Sequence, residues 1–210
     1  MKSTVKPAKK SATQQSAHRD VPGLGVATAL ALTPSGGVVT RVECLLLSGR
    51  GKLILTGNLV GEAKDSGQVA LSLARRHAHL LGVHPSEFLR TDVHFHVPEG
   101  LPSKGGPSLG LAMFVALIAA VTGKTVSPEN AFTGELSLSG KLHPVGGIQE
   151  KIAAAQRANI LYVYAPHENV SESGSNTASS PTLVAVDHID TLFARIFKTA
   201  QTRSSRPRIA

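Results

Sequence analysis

The 210-residue chain has a single cysteine, Cys44. An intrachain disulfide is therefore excluded, and a cytoplasmic compartment fits. Cys44 lies among Val42, Leu45, Leu46 and Leu47 and reads as a small core residue. No apolar run is long enough to span a membrane, and residues 1–19 hold no stretch like a signal-peptide core. The histidines follow neither an HExxH pattern nor a Cys/His ligand spacing, so a catalytic zinc has no support. Gly100 to Gly105 has the first spacing of a phosphate-binding loop. Gly106 and Pro107 then stand where that loop needs Lys and Ser/Thr, so the motif fails.

Excess charge is also missing from the middle of the chain. The net charge is +8, but residues 1–20 contribute +4 and residues 201–210 contribute +3, which leaves +1 between them. Residues 1–22 and 200–210 accordingly read as disordered basic tails, and residues 23–199 as one folded domain. The tails could touch RNA, DNA or acidic surfaces weakly. The near-neutral folded part gives no basis for a nucleic-acid partner.

Within the domain, Val26 to Leu32 and Val38 to Leu47 flank Pro34-Ser35-Gly36-Gly37 and predict a hairpin, followed by a strand over Lys52 to Thr56. Apolar positions at helical intervals predict a helix from Glu62 to Leu81, stopped by Gly82. Further strands are expected at Asp92–Val97, Ala131–Ser137, Lys141–Val145, Leu161–Tyr164 and Leu183–Val186. Helices are expected at Leu109–Thr122, Ile148–Ala158 and Ile189–Phe197, with a polar loop over Ser171–Pro181. Strands first, then alternating strands and helices, indicate an α+β fold with helices packed on a mixed sheet.

The helix Leu109–Thr122 has no charged residue and is apolar nearly all round, so it belongs deep in the core. A Gly105-Gly106-Pro107 turn delivers Ser108 to its start, among unpaired N–H groups at the positive end of the helix dipole. Such donors favour an alkoxide and a tetrahedral oxyanion, although serine is also a common helix cap. Lys151 lies 43 residues on, and Ile148, Lys151, Ile152 and Ala155 follow the spacing of a buried helix face. A lysine there either snorkels to water or is held neutral, and a neutral lysine can take a serine's proton. Thr133 could hold the amine in place, though strand propensity explains a threonine equally well. A second arrangement is Ser108 with His96 and Asp92, because both of the latter project from one face of their strand.

Four stretches carry a further signal. They are Asp92-Val93-His94-Phe95-His96-Val97-Pro98-Glu99-Gly100, Lys104-Gly105-Gly106-Pro107-Ser108-Leu109-Gly110, Thr133-Gly134-Glu135 and Pro144-Val145-Gly146-Gly147-Ile148-Gln149-Glu150-Lys151. In order and spacing they closely resemble the proteolytic domain of Lon, the ATP-dependent protease, over about Gly25 to Phe197. The resemblance implies a fold like domain 2 of ribosomal protein S5 and subunits arranged as a homo-hexamer. It makes Ser108 the nucleophile, Lys151 the general base and Thr133 a partner of the lysine amine, with Gly106, Pro107, His96 and Glu135 in support.

The implied activity is a serine endopeptidase that cuts unfolded or loosely structured polypeptides through an acyl-enzyme. It needs no metal or organic cofactor, and ATP acts only through an AAA+ module. Lon carries that module ahead of this domain, whereas only about twenty residues precede it here. The expectation is a standalone or excised domain, or an AAA+ unfoldase acting in trans. Gly105 replaces the family's usual acidic residue and Leu109 its small one. Those departures admit an alternative, a Lon-like domain that has lost activity and serves binding or assembly.

Overall fold

The computed structural model describes residues 23–57, 59–98, 106–173 and 180–196. The predicted tails lie outside them, as do Gly105 and residues 174–179. In chain order the strands and helices are β1 (Val26–Thr33), β2 (Gly36–Ser48), β3 (Leu53–Thr56), α1 (Glu62–Arg76), β4 (Thr91–His96) and α2 (Gly110–Thr122). There follow β5 (Asn130–Phe132), β6 (Glu135–Leu136), β7 (Leu142–His143), α3 (Ile148–Arg157), β8 (Tyr162–Pro166), α4 (His167–Glu172), β9 (Thr182–Val186) and α5 (Ile189–Ile196). The expected α+β arrangement is present.

Seven strands form one mixed sheet in the order β3-β4-β2-β1-β5-β8-β9. The hairpin β1–β2 turns over Pro34-Ser35, with Thr33 opposite Gly36. From β1 onward the far half is all parallel. The central strands alternate between two cores. Ala27, Ala29, Val42, Cys44, Val93 and Phe95 point to one face, where they pack with the apolar residues of α2. Leu30, Ala131 and Val163 point to the other, where Ile148, Ile152 and Ala155 of α3 cover them. Every residue of α2 from Gly110 to Ala120 is buried, as its lack of charge implies. Cys44 is a core residue, and burial pushes its thiol well above the ordinary range.

Three predicted elements are corrected. The helix expected over Glu62–Leu81 ends at Arg76, and a 3-10 turn, Ala78–Leu81, follows it. His77 caps the helix: its backbone N–H still donates to the Leu73 carbonyl oxygen (2.9 Å), which also lies 2.9 Å from the ring Nδ1. The strand expected over Ala131–Ser137 is two strands in different sheets, parted at Gly134 with φ 154. α4, to which no expectation was attached over residues 167–170, also takes in the first two residues of the loop expected over Ser171–Pro181.

Candidate active site

Pro107, Ser108 and Leu109 make a single 3-10 turn that leads into α2, so Ser108 precedes the α-helix by two residues. Proline suits this place because its fixed φ and missing N–H cost nothing in a first turn. The segment that departs from β5 staples the turn. Gly134 N–H donates to the Ser108 carbonyl (3.2 Å), and Leu111 N–H donates to the Gly134 carbonyl (3.1 Å). The N–H groups of Ser108 and Leu109 have no acceptor among the described residues. Gly106 is exposed in extended backbone just ahead of them.

Lys151 arrives from the opposite face of the sheet, one turn into α3. Gly147, at φ 68, opens that helix with its Cα against the Leu32 side chain. Just upstream, the buried Asn169 of α4 clamps Val145 at both ends: Val145 N–H donates to Asn169 Oδ1 (2.8 Å), and Asn169 Nδ2 donates to the Val145 carbonyl (3.0 Å). Lys151 is 0% exposed, and a 2.9 Å hydrogen bond joins its Nζ to Ser108 Oγ. The snorkelling alternative is thereby excluded. Burial lowers the amine's pKa from 10.5 to about 8, against a smaller opposing pull from the Glu150 carboxylate.

Thr133 is also fully buried, but its hydroxyl donates to the Leu30 carbonyl oxygen (3.1 Å). No hydrogen bond joins it to Lys151 among the described residues. Glu135 is exposed on β6. With Glu62, Asp65, Val69, Pro107 and Leu136 it lines a small cleft of about 150 Å³ beside the Ser108 turn.

The arrangement of Ser108, His96 and Asp92 is not assembled. His96 Nδ1 and His94 Nε2 each lie 2.8 Å from the Thr56 hydroxyl. Asp92 stands four residues from His96 on β4, roughly 13 Å along the strand. Its Oδ1 accepts the N–H groups of Arg50 (2.7 Å) and Lys52 (2.8 Å), and these bonds hold its carboxyl below the ordinary range. Asp92 therefore anchors a loop. A shared strand face said nothing about the other partners available to each side chain.

Residues 5–199 match the family model described as the Lon protease (S16) C-terminal proteolytic domain. The chain belongs to the Lon proteolytic-domain family. It is 44% identical over 177 residues to the Lon protease of Methylocella silvestris, a match that covers 83% of this chain and 22% of that protein. It is 49% identical over 145 residues to the Lon protease of Phenylobacterium zucineum, covering 69% and 18%. It is 39% identical over 170 residues to Lon protease 1 of Bacillus subtilis, covering 80% and 22%. The chain thus spans about a fifth of the length of these curated relatives.

The Lon resemblance had marked Leu109 as a bulky departure beside the nucleophile. Its side chain is 2% exposed and belongs to the core shared with α2, so its volume goes into packing. Asn169, through Val145, and Gly37, which lies against the backbone of Glu150 and Lys151, support the lysine of this Lon-family site, and neither was legible in the sequence. A lone asparagine in an exposed-looking segment, and a second glycine in a turn, give no signal of what they hold.

Proposed function

We propose that the chain is a serine endopeptidase working through a Ser108–Lys151 dyad on unfolded or loosely structured polypeptides. The observation that carries this is the fully buried lysine amine 2.9 Å from a serine hydroxyl at the mouth of α2. With its pKa brought to about 8, a useful fraction of Lys151 is uncharged near neutral pH, and its lone pair can accept the Ser108 proton. The resulting alkoxide attacks the peptide carbonyl. Charge then develops on the carbonyl oxygen, and the N–H groups of Ser108 and Leu109, which have no acceptor among the described residues, would stabilise it. Lys151 returns the proton to the leaving amine, and water releases the acyl group from Ser108 by the reverse sequence. The scheme uses no metal or organic cofactor.

Polypeptide must reach such a site as an open strand. A separate AAA+ unfoldase acting in trans on a ring of six copies would supply it, in a reducing, cytoplasmic setting that suits the buried Cys44. None of the described helices is long and apolar enough to cross a membrane.

A peptidyl boronate tests the dyad directly. Wild type is expected to cleave a short fluorogenic peptide slowly and to be inhibited by the boronate at Ser108. Ser108→Ala and Lys151→Ala should each lose both properties while remaining folded. Full activity in Lys151→Ala would eliminate the dyad.

A further inference from the structure

α3 covers only part of its side of the sheet. Leu30, Ala131 and Val163 lie beneath it. Farther out on the same face, Glu43 and Leu45 of β2 stand opposite His96 and His94 of β4, and Thr56 of β3 stands opposite His96. These five side chains are half-buried or exposed. That end of the sheet faces water.

Three polar atoms meet on it. His94 Nε2 and His96 Nδ1 each lie 2.8 Å from Thr56 Oγ1, so two imidazoles, two residues apart on one strand, aim a nitrogen at the same point. One ring would suffice to bond the hydroxyl, whose single proton can be donated to only one of them. Donors around a tetrahedral zinc, at 2.0–2.1 Å from the ion, stand about 3.3 Å from one another. Each nitrogen–oxygen pair here needs to open by only roughly half an ångström to admit the ion between them. Thr56 can yield that much, because it is exposed at the last position of an edge strand. A hollow of about 340 Å³ adjoins both rings and gives room for water, and Glu43 is the one carboxylate among its lining residues.

From this convergence we infer that His94, His96 and Thr56 form a binding site for a first-row divalent cation, zinc above all, held by His94 Nε2 and His96 Nδ1 with Thr56 Oγ1 beside it. Imidazole nitrogen is a preferred ligand for zinc and its transition-metal neighbours, whereas magnesium and calcium take oxygen. No three His, Cys, Asp or Glu side chains form a cage among the described residues, so the ion keeps at least one position for water or an outside ligand. The site shares no residue with the dyad. Its ion ties the end of β3 to β4 through side chains as well as backbone.

The test uses the full, untagged chain and zinc chloride, with affinity read by competition against a chromophoric chelator. One ion per chain is expected. His94→Ala and His96→Ala should each weaken binding at least about tenfold, the loss that even outer-shell partners of a metal cause. Excess magnesium should not displace the zinc. Long-range proton–nitrogen NMR of the wild-type imidazoles locates the ion without any variant: zinc should move the resonances of His94 Nε2 and His96 Nδ1 together. Zinc that binds while both resonances stay in place, or with equal affinity in both variants, would be held by other side chains and would overturn the inference. So would a chain that takes up no zinc.

Discussion

Gly37 lies so close beneath α3 that a Cβ built on it would collide with the carbonyl of Glu150 and stand 2.7 Å from the backbone nitrogen of Lys151. A turn glycine in β2 thus sets the height of the helix that carries the proposed base. The contact is backbone against backbone, so no rotamer change can relieve a larger residue there.

Gly37→Ala is therefore expected to lift the first turn of α3 and pull Nζ away from Ser108 Oγ. Displacements of about 1 Å at a reacting centre cost on the order of 10²-fold in rate. Peptide kcat/KM should fall by about that factor, with a much smaller fractional change in the melting profile. Equal activity in mutant and wild type would contradict the proposed spacing.

The pH dependence follows from the lysine. Its folded pKa of about 8 lies below the ordinary 10.5, so the charged form is the one disfavoured by burial. Peptide kcat/KM should climb with pH and reach half its plateau near pH 8, because only the neutral amine can accept the serine proton. Between about pH 8 and 10.5 the unfolded chain holds more proton than the folded one, so stability rises with pH in that window. The penalty for burying the amine is present in full below it. Lys151→Met should abolish cleavage, melt higher than wild type at pH 7 and lose this rise in stability. Thermal melts at pH 7 and pH 10 read the last two, and a peptide assay reads the first.

Asn169 is expected to act through Val145. Asn169→Ala strands a buried N–H and a buried C=O at the entry to α3, each costing roughly 1–3 kcal/mol. The melting point should drop. In the folded fraction, kcat should fall, because the proposed base is displaced. A variant that loses stability but keeps full kcat would assign Asn169 to the fold alone.

Much of the fold was legible because its signals are local. The Pro34–Gly37 turn announced the first hairpin, and the uncharged run of α2 announced the buried helix. Ser108 and Lys151 were legible for a related reason: one follows a glycine-proline turn, and the other interrupts an apolar helix face. The errors arose where a distant partner decides the outcome. Nothing near Gly134 reveals that its backbone serves Ser108 and Leu111, so one strand was expected where there are two. Asp92 and His96 share a strand face, yet their partners, the Arg50–Lys52 backbone and Thr56, come from about forty residues away. Thr133 was expected beside the lysine amine, and the hydroxyl's bond goes instead to Leu30, 103 positions away in the chain.

The solvent-free surroundings of α2 set how the proposed activity would fail. Its residues are enclosed from Gly110 to Ala120, and Ser108, the proposed nucleophile, lies in the turn that leads into it. Segments with so many buried apolar contacts open only when the domain as a whole opens. The serine therefore has no private route to disorder: heat would destroy catalysis and architecture in the same step, leaving no intact but inert form behind.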